Sequence, residues 1–223
     1  MNPEVRTMLE GMYAQVRREF KDPEIAWDRF MEYIAAENSM HLAEQMPGFL
    51  QWLFESSRLK KALPETYDMK LHGSDFHDHL GEMYEERLRT KELRTCLDLK
   101  FTSMDDAILL ASKLIQETER ELSIYAPAAG TGRLLMAAHK RAPNAHLFGS
   151  DPDLRAVRIG LTNFAVYDIP GYMLHANATI HETDLSTDAG QYNWRFSNNW
   201  DSCMDKLHPR VRPPKSPSFS TAN

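Results

Sequence analysis

Apolar residues recur every three or four positions over the first part of the chain, and charged residues fill the positions between them. The first such run predicts an amphipathic helix from Pro3 to about Lys21, with the apolar positions Val5, Leu9, Met12, Val16 and Phe20. Asp22-Pro23 then supplies an N-cap followed by proline at the first helical position. A second helix is therefore predicted to begin there.

An aromatic-rich run follows a break in the pattern at Pro47-Gly48. Because aromatic side chains contribute much of the buried area of a core, Phe49, Trp52 and Phe54 are expected to pack inside. Residues 64–73 are predicted to connect this run to the next helix. The chain up to about residue 100 is thus predicted to be all-α.

Beyond this region the pattern changes to short β-prone runs that alternate with helical ones. The predicted order is strand Leu122–Ala126, helix from Arg133 to about Lys140, strand ending at Asp151, helix from Leu154, and strand Tyr172–His175. Strands joined in this way imply right-handed crossovers and a parallel sheet with helices on both faces. The predicted fold class is α/β: a partial Rossmann-like parallel sheet preceded by an all-α N-terminal region.

A small-residue loop leaves the first predicted strand, with the sequence Ala126-Pro127-Ala128-Ala129-Gly130-Thr131-Gly132. Its two glycines let the backbone adopt positive φ and let a ligand approach closely. The N–H groups at the start of the next helix have no intrahelical partner, so such a loop suits a polar or anionic group. The alternative is a turn that merely joins a strand to a helix.

Polar residues also follow the next two strands, at Asp151 and Asn177. The carboxyl ends of parallel strands meet at one edge of the sheet, where ligands of open α/β sheets bind, and a carboxylate there accepts hydrogen bonds from a ribose. A dinucleotide fingerprint would need a third glycine where Leu135 stands, and a phosphate loop would need G-K-[ST]. An NAD- or nucleotide-binding module is therefore the weaker alternative.

The loop resembles the P-A-x-G-[ST]-G segment of S-adenosylmethionine-dependent methyltransferases. It is most similar to the [DN]-P-A-x-G-[ST]-G form of the DNA adenine-N6 group, with Ala126 at the acidic or amide position. The resemblance implies S-adenosylmethionine as cofactor and methyl transfer to adenine in DNA. It also implies that the backbone from Ala128 to Gly132 surrounds the methionine moiety, Asp151 holds the ribose and Asn177 contacts the adenine.

A second resemblance lies upstream. His79-Leu80-Gly81-Glu82-Met83-Tyr84-Glu85 resembles the L-G-E-x-Y-E helix that precedes the catalytic domain in modification subunits of type I restriction systems. The family's next segment closes over the methionine end of the cofactor and corresponds in part to Phe101-Thr102, with Ser103 at its proline position. Ser103 and Asp106 also match a capping box, which predicts a helix beginning at this point.

Asp75, His77, Asp78 and His79 are of residue types that bind zinc or iron. Residues at i and i+2 point to opposite sides of a helix, whereas helical ligand pairs lie at i and i+3 or i+4. We therefore expect a solvated polar face here and no metal site.

The adenine-N6 family performs its chemistry with [DNS]-P-P-[YFW], which holds the amino group of a flipped-out adenine. This tetrapeptide does not occur in the sequence: Asn198-Asn199-Trp200 lacks the prolines and Pro213-Pro214-Lys215 lacks the flanking residues. Catalytic residues therefore stay unassigned. Two functions remain open, an enzyme and a non-catalytic cofactor-binding or interaction subunit completed by a partner chain in a restriction-modification-type system.

Composition limits the remaining possibilities. The 223 residues are 42% hydrophobic and support a core, with predicted boundaries of 1–100 for the helical region, 101–208 for the cofactor domain and 209–223 for a Pro/Ser-rich tail. The net charge of −6 gives no overall attraction for DNA, so another region or chain would have to hold it. Cys96 and Cys203 lack C-x-x-C spacing and imply neither a disulfide framework nor a zinc site.

No run approaches the about 18 apolar residues that would span a bilayer, and the N-terminus lacks a signal-peptide pattern, so a cytoplasmic protein without membrane contact is expected.

In a partial sheet, the first strand would have no neighbouring strand on one side and would form an open edge. Because such edges are usually covered, we expect the N-terminal helices, the tail, a second protomer or a partner protein to cover it.

Overall fold

The computed structural model describes residues 2–39, 50–87, 102–115 and 122–175 of the chain. Its helices are α1 Pro3–Glu19, α2 Pro23–Asn38, α3 Gln51–Glu55, α4 Ser57–Thr66, α5 Met69–Gly73, α6 His79–Arg87, α7 Met104–Leu114, α8 Arg133–Arg141 and α9 Leu154–Val166. Its strands are β1 Ser123–Ala126, β2 His146–Asp151 and β3 Gly171–His175. The predicted fold class, a helical region followed by a partial parallel α/β sheet, is confirmed.

Two predicted helix starts are confirmed by their capping hydrogen bonds. The Asp22 carboxylate accepts from the N–H groups of Glu24 at 2.8 Å and Ile25 at 3.0 Å, and Pro23 begins α2. Ser103 Oγ accepts from the N–H of Asp106 at 3.1 Å and donates to its carboxylate at 2.8 Å. These side chains satisfy N–H groups that the first turn of a helix leaves without a partner.

The helical region packs around large apolar side chains such as Leu9, Trp27, Phe30 and Met83. The expectation that the aromatic run is buried holds for Trp52 but is wrong for Phe54, which is 70% exposed. The reason is geometric: α3 is a single short turn and can direct only one side inward, which carries Trp52 and Leu53. Phe49 lies outside the described residues.

The prediction of a connector over residues 64–73 is also wrong. Pro64 lies inside α4, and α5 follows after Tyr67 and Asp68. A proline in a helix interior removes one backbone hydrogen bond. Here α4 persists because Leu59 and Leu63, one helical turn apart, are fully buried in the helical core.

The three strands form a parallel sheet in the order β1-β2-β3. The loop after β1 and the end of β2 therefore lie at the same edge, as the sequence predicts. Ala126 pairs in register with Gly149 of β2. A Cβ atom at Gly149 would lie 2.8 Å from Leu135 Cδ1 and 2.9 Å from Ala129 Cβ, so glycine there lets α8 and the loop pack directly against the strand.

Helix α9 joins the sheet to the helical region. Its Ile159 belongs to the helical core, and its Arg155 pairs with Asp28 at 3.0 Å and with Glu24. The described residues through His175 thus form one compact unit. The predicted domain boundary near residue 100 and the tail from residue 209 lie outside the described residues.

Among the helices of the described ranges, none has the length and apolar character needed to cross a membrane.

Candidate cofactor site

The loop between β1 and α8 forms a tight bend held by backbone hydrogen bonds. The Ala129 N–H donates to the Ser150 carbonyl of β2 at 2.9 Å, and the Gly132 N–H donates back to the Ala129 carbonyl at 2.9 Å. Gly130 has φ of +55° and Gly132 has φ of +85°. These values lie in the left-handed region that favours glycine, so both glycines are required by the bend itself.

Gly132 is also required by space. A Cβ atom there would lie 3.2 Å from Met173 Sδ and 3.3 Å from Phe164 Cε1. Gly132 is the N-cap of α8, and no described side chain caps the helix. In any α-helix the first-turn N–H groups have no acceptor within the helix, so this start suits an anionic or polar group.

Asp151, at the end of β2, faces this loop. Its Oδ2 accepts from the Gly130 N–H at 2.7 Å, and its Oδ1 accepts from the Asp153 N–H at 2.9 Å. The side chain is only 5% exposed. Burial raises the pKa of Asp151 above its ordinary value, while the bonds from Asp153 and Gly130 oppose that rise. Asp151 thus fixes the loop, and a carboxylate with about four acceptor positions has capacity left for a ligand hydroxyl.

A second buried carboxylate, Asp78, binds the end of the loop and the start of α8. Its Oδ2 accepts from Thr131 Oγ1 and, at 2.7 Å, from Arg133 Nε. Its Oδ1 accepts from Asn163 Nδ2 at 2.7 Å and from the Gly81 N–H at 2.8 Å. Asp78 is 0% exposed and is compensated by four donors, as a buried charge requires.

The expectation of a solvated polar face around Asp78 is therefore wrong. Both Asp78 and His79 are fully buried. Three of the four donors to Asp78 come from α8, α9 and the glycine loop, which are remote in sequence, so no local pattern indicates that this acid is enclosed. Among the described residues, no group of three or more His, Cys, Asp or Glu is arranged to hold a metal ion.

Arg133, the first residue of α8, connects three segments. Besides its 2.7 Å bond to Asp78, its Nη1 donates to the Thr102 carbonyl at 3.2 Å, and its Nη2 lies 2.6 Å from Glu85 Oε1. Burial alone lowers the pKa of Arg133, but the charges of Asp78 and Glu85 outweigh it and leave that pKa raised. The guanidinium is thus held as a buried cation between α6 and Thr102, in the segment that precedes α7.

Helix α6 also contacts the turn between β2 and α9, which contains Asp153. Tyr84 Oη donates to the Asp153 carboxylate at 2.8 Å. Asp153 in turn caps α9 by accepting from the Arg155 N–H at 2.9 Å, and its own N–H binds Asp151. The helix that resembles L-G-E-x-Y-E, together with Asp78 just before it, therefore supports both parts of the site. Asp78 binds the glycine loop, and Tyr84 binds Asp153, next to Asp151.

The model of the N-6 DNA methylase family matches residues 75–218, which is more than half of the chain. The chain belongs to the N-6 DNA methylase family. The match begins at Asp75, so it includes both α6 and the glycine loop, the two segments that the structure joins through Asp78 and Arg133.

Two solved structures are similar to this family member. One is a class I S-adenosylmethionine-dependent methyltransferase from Listeria monocytogenes, with 14% identity, a TM-score of 0.48, and coverage of 81% of this chain and 54% of that chain. The other is the methyltransferase subunit of a type I restriction-modification system from Streptococcus thermophilus, with 17% identity, a TM-score of 0.41, and coverage of 84% and 42%. The chain thus spans about half the length of each. No curated protein matches it.

The methylase-family loop brings most of the predicted cofactor residues to one place. Gly130, Thr131, Gly132 and Asp151 are buried and meet at the ends of β1 and β2. Pro127 and Ala128 are exposed at the tip of the loop, and Ala126 is buried in β1. Thr102 joins them through Arg133. Phe101 and Asn177 lie outside the described residues.

Sequence reasoning missed Asp78, Arg133, Asn163 and Tyr84 as parts of the site. The resemblance of α6 to the family motif is the signal that points to one of them, Tyr84. Nothing in the sequence indicates these pairings, because Arg133 and Asn163 bind Asp78, and Tyr84 binds Asp153, across more than 50 positions of the chain.

Proposed function

We propose that this chain binds S-adenosylmethionine along the carboxyl ends of β1, β2 and β3, as the cofactor-binding part of a DNA adenine-N6 methyltransferase. One observation carries the proposal. The Asp151 carboxylate and the Gly130 N–H are joined at 2.7 Å beside the uncapped start of α8, so an acid for a ribose and donors for a carboxylate lie at one edge.

Each described residue of the site has a role in this proposal. The backbone of Ala128, Gly130 and Thr131, with the first turn of α8, faces the methionine moiety, and Gly132 gives the loop the positive φ that its bend requires. Asp151 accepts hydrogen bonds from the ribose with the lone pairs that Gly130 and Asp153 leave. When bound, S-adenosylmethionine supplies the methyl group to be transferred.

The remaining roles rest on the family resemblance. Asn177 is proposed to accept a hydrogen bond from the adenine of the cofactor, and Phe101-Thr102 to cover its methionine end. DNA is the proposed substrate, held by another region or by a partner subunit because the chain has a net charge of −6.

A second candidate is a cofactor-binding or interaction subunit that needs a partner chain for catalysis. The observation that favours it is the exposed apolar surface of α7 and of β1. Leu109 is 50% and Leu114 is 78% exposed, and Tyr125 of β1 is 57% exposed. A second protomer or a partner protein bound over these surfaces would bury the exposed side chains.

Isothermal titration calorimetry with S-adenosylmethionine tests the binding proposal. The wild-type chain is expected to bind, and D151A to lose binding because both the ribose acceptor and the anchor of Gly130 are removed. E65A, which truncates an exposed acid on α4, is the control and should bind as wild type. Wild-type protein that takes up no cofactor, or D151A that binds as well as wild type, would overturn the proposal.

Transfer of a radioactive methyl group to unmethylated DNA then separates the two candidates. Labelled N6-methyladenine formed by the chain alone supports the enzyme. Cofactor binding without transfer, restored by adding a partner subunit, supports the second candidate.

A further inference from the structure

We propose that Arg133 is a positioning residue that couples the segment before α7 to the glycine loop, so that cofactor affinity depends on its guanidinium and not only on its charge. This inference rests on the proposed function, since it concerns the same cofactor site. It assigns Asp78, Glu85 and the Thr102 carbonyl as the acceptors through which Arg133 acts.

The first support is burial. Arg133 is only 6% exposed and Asp78 is fully buried, so their 2.7 Å contact is shielded from solvent. Removing one partner of such a pair leaves an uncompensated buried charge, which is far more disruptive than losing a surface ion pair. The pair therefore fixes where α8 begins relative to α6.

The second support is the direction of the three contacts. Nε binds Asp78, Nη2 pairs with Glu85 at 2.6 Å, and Nη1 donates to the Thr102 carbonyl at 3.2 Å. A planar guanidinium presents donors on several sides at once, whereas a lysine ammonium is a compact point charge on a flexible stem. Lysine at this position can keep the charge beside Asp78 but cannot maintain all three contacts.

The third support is the position of Arg133 in the chain. It directly follows Gly132, whose φ of +85° defines the end of the loop. Thr131, one residue before that glycine, is tied to the same Asp78 oxygen. A shift of Arg133 would therefore move Thr102 and the loop relative to each other.

The coupling predicts a specific dependence of ligand binding. Thr102 belongs to the segment proposed to cover the methionine moiety, and the loop backbone is proposed to surround it. If Arg133 fixes the Thr102 segment relative to the glycine loop, loss of its guanidinium group should weaken cofactor binding even where the fold is retained.

The test compares R133K with R155K. Arg155 serves as the control because it is a half-buried arginine that also pairs with two acids, Asp28 and Glu24, on a neighbouring helix. R133M would leave Asp78 without its cation and risks the fold, so R133K carries the test. Binding of S-adenosylmethionine is measured by calorimetry, and hydrogen exchange of the amides at 103–107 and 129–132 is measured without ligand.

R133K is expected to bind the cofactor about tenfold more weakly or worse, the effect of losing one charge-assisted hydrogen bond. Its amides in the two segments should exchange faster than those of wild type. R155K should change neither. The inference would be overturned if R133K bound the cofactor as tightly as the wild-type chain, or if R155K weakened binding as much as R133K. Neither result would contradict the proposed function, because the wild-type chain would still bind the cofactor. Wild-type protein that binds no cofactor would overturn the proposed function and this inference with it.

Discussion

Gly81 lies in α6 against the carboxylate of Asp78. Replacing it with alanine should greatly reduce the stability of the folded chain. A Cβ atom there would lie 2.0 Å from Asp78 Oδ2, 2.6 Å from its Cγ and 2.7 Å from its Oδ1. These distances are well below van der Waals contact. Either Asp78 must rotate away or α6 must move off the loop.

The magnitude follows from what holds Asp78. Its carboxylate cannot turn aside without losing bonds to Arg133, Asn163 and Thr131, because all of them converge on its two oxygens. Breaking a buried ion pair costs about 3–5 kcal/mol, and hydrogen bonds to charged groups contribute about 1.5–3 kcal/mol each. We expect G81A to lower the free energy of unfolding by about 3–5 kcal/mol, a large part of the about 5–15 kcal/mol typical of a domain.

Urea unfolding followed by circular dichroism measures this loss, and G11A is the matched control. Gly11 is an exposed residue of α1, and a Cβ atom there meets no other atom within 4 Å. Because alanine favours helix over glycine, G11A should stabilise the chain by about 0.5–1 kcal/mol. If the free energy of unfolding of G81A lies within about 1 kcal/mol of the wild-type value, Asp78 is not fixed by its four donors, and its support of the loop is refuted.

Three further substitutions probe the same unit. T131V removes one donor to Asp78 but leaves Arg133, so the free energy of unfolding in urea should fall by about 1–2 kcal/mol. An unchanged value would contradict the hydrogen bond between Thr131 and Asp78. G132A forces a side chain into positive φ and against its neighbours, and should cost about 1–2 kcal/mol and weaken cofactor binding in calorimetry. Burial and the neighbouring His79 lower the pKa of His72 from 6.5 to about 3. The folded state keeps His72 neutral while the unfolded state takes up a proton, so stability is intact above about pH 6.5 and falls toward about pH 3, by at most about 1.4 kcal/mol per pH unit. Urea midpoints at a series of pH values should show this slope, and H72Q should flatten it.

Local chemistry explains which parts of the fold the sequence predicts. Asp22 and Ser103 cap helices through bonds to residues two or three positions away, so their role is visible in a short stretch of sequence. The glycine loop is similar, because Gly130 and Gly132 are required by its own backbone angles. The alternation of strand and helix patterns after residue 121 likewise predicts the parallel sheet.

Contacts between distant segments explain what the sequence does not predict. Asp78 resembles a solvent-exposed acid in its own segment and becomes a buried one only because Thr131, Arg133 and Asn163 enclose it. Pro64 stays inside a helix because neighbouring leucines are buried by other helices. Phe54 is exposed because a one-turn helix cannot bury every aromatic residue it carries.

A crystal structure of the chain with S-adenosylhomocysteine, a stable product of methyl transfer, tests the central claim most directly. The claim predicts a ribose hydroxyl about 2.6–3.2 Å from the Asp151 carboxylate and the amino-acid end of the ligand against the backbone of Ala128–Gly132. A ligand bound elsewhere, or a ribose that Asp151 does not contact, would contradict it.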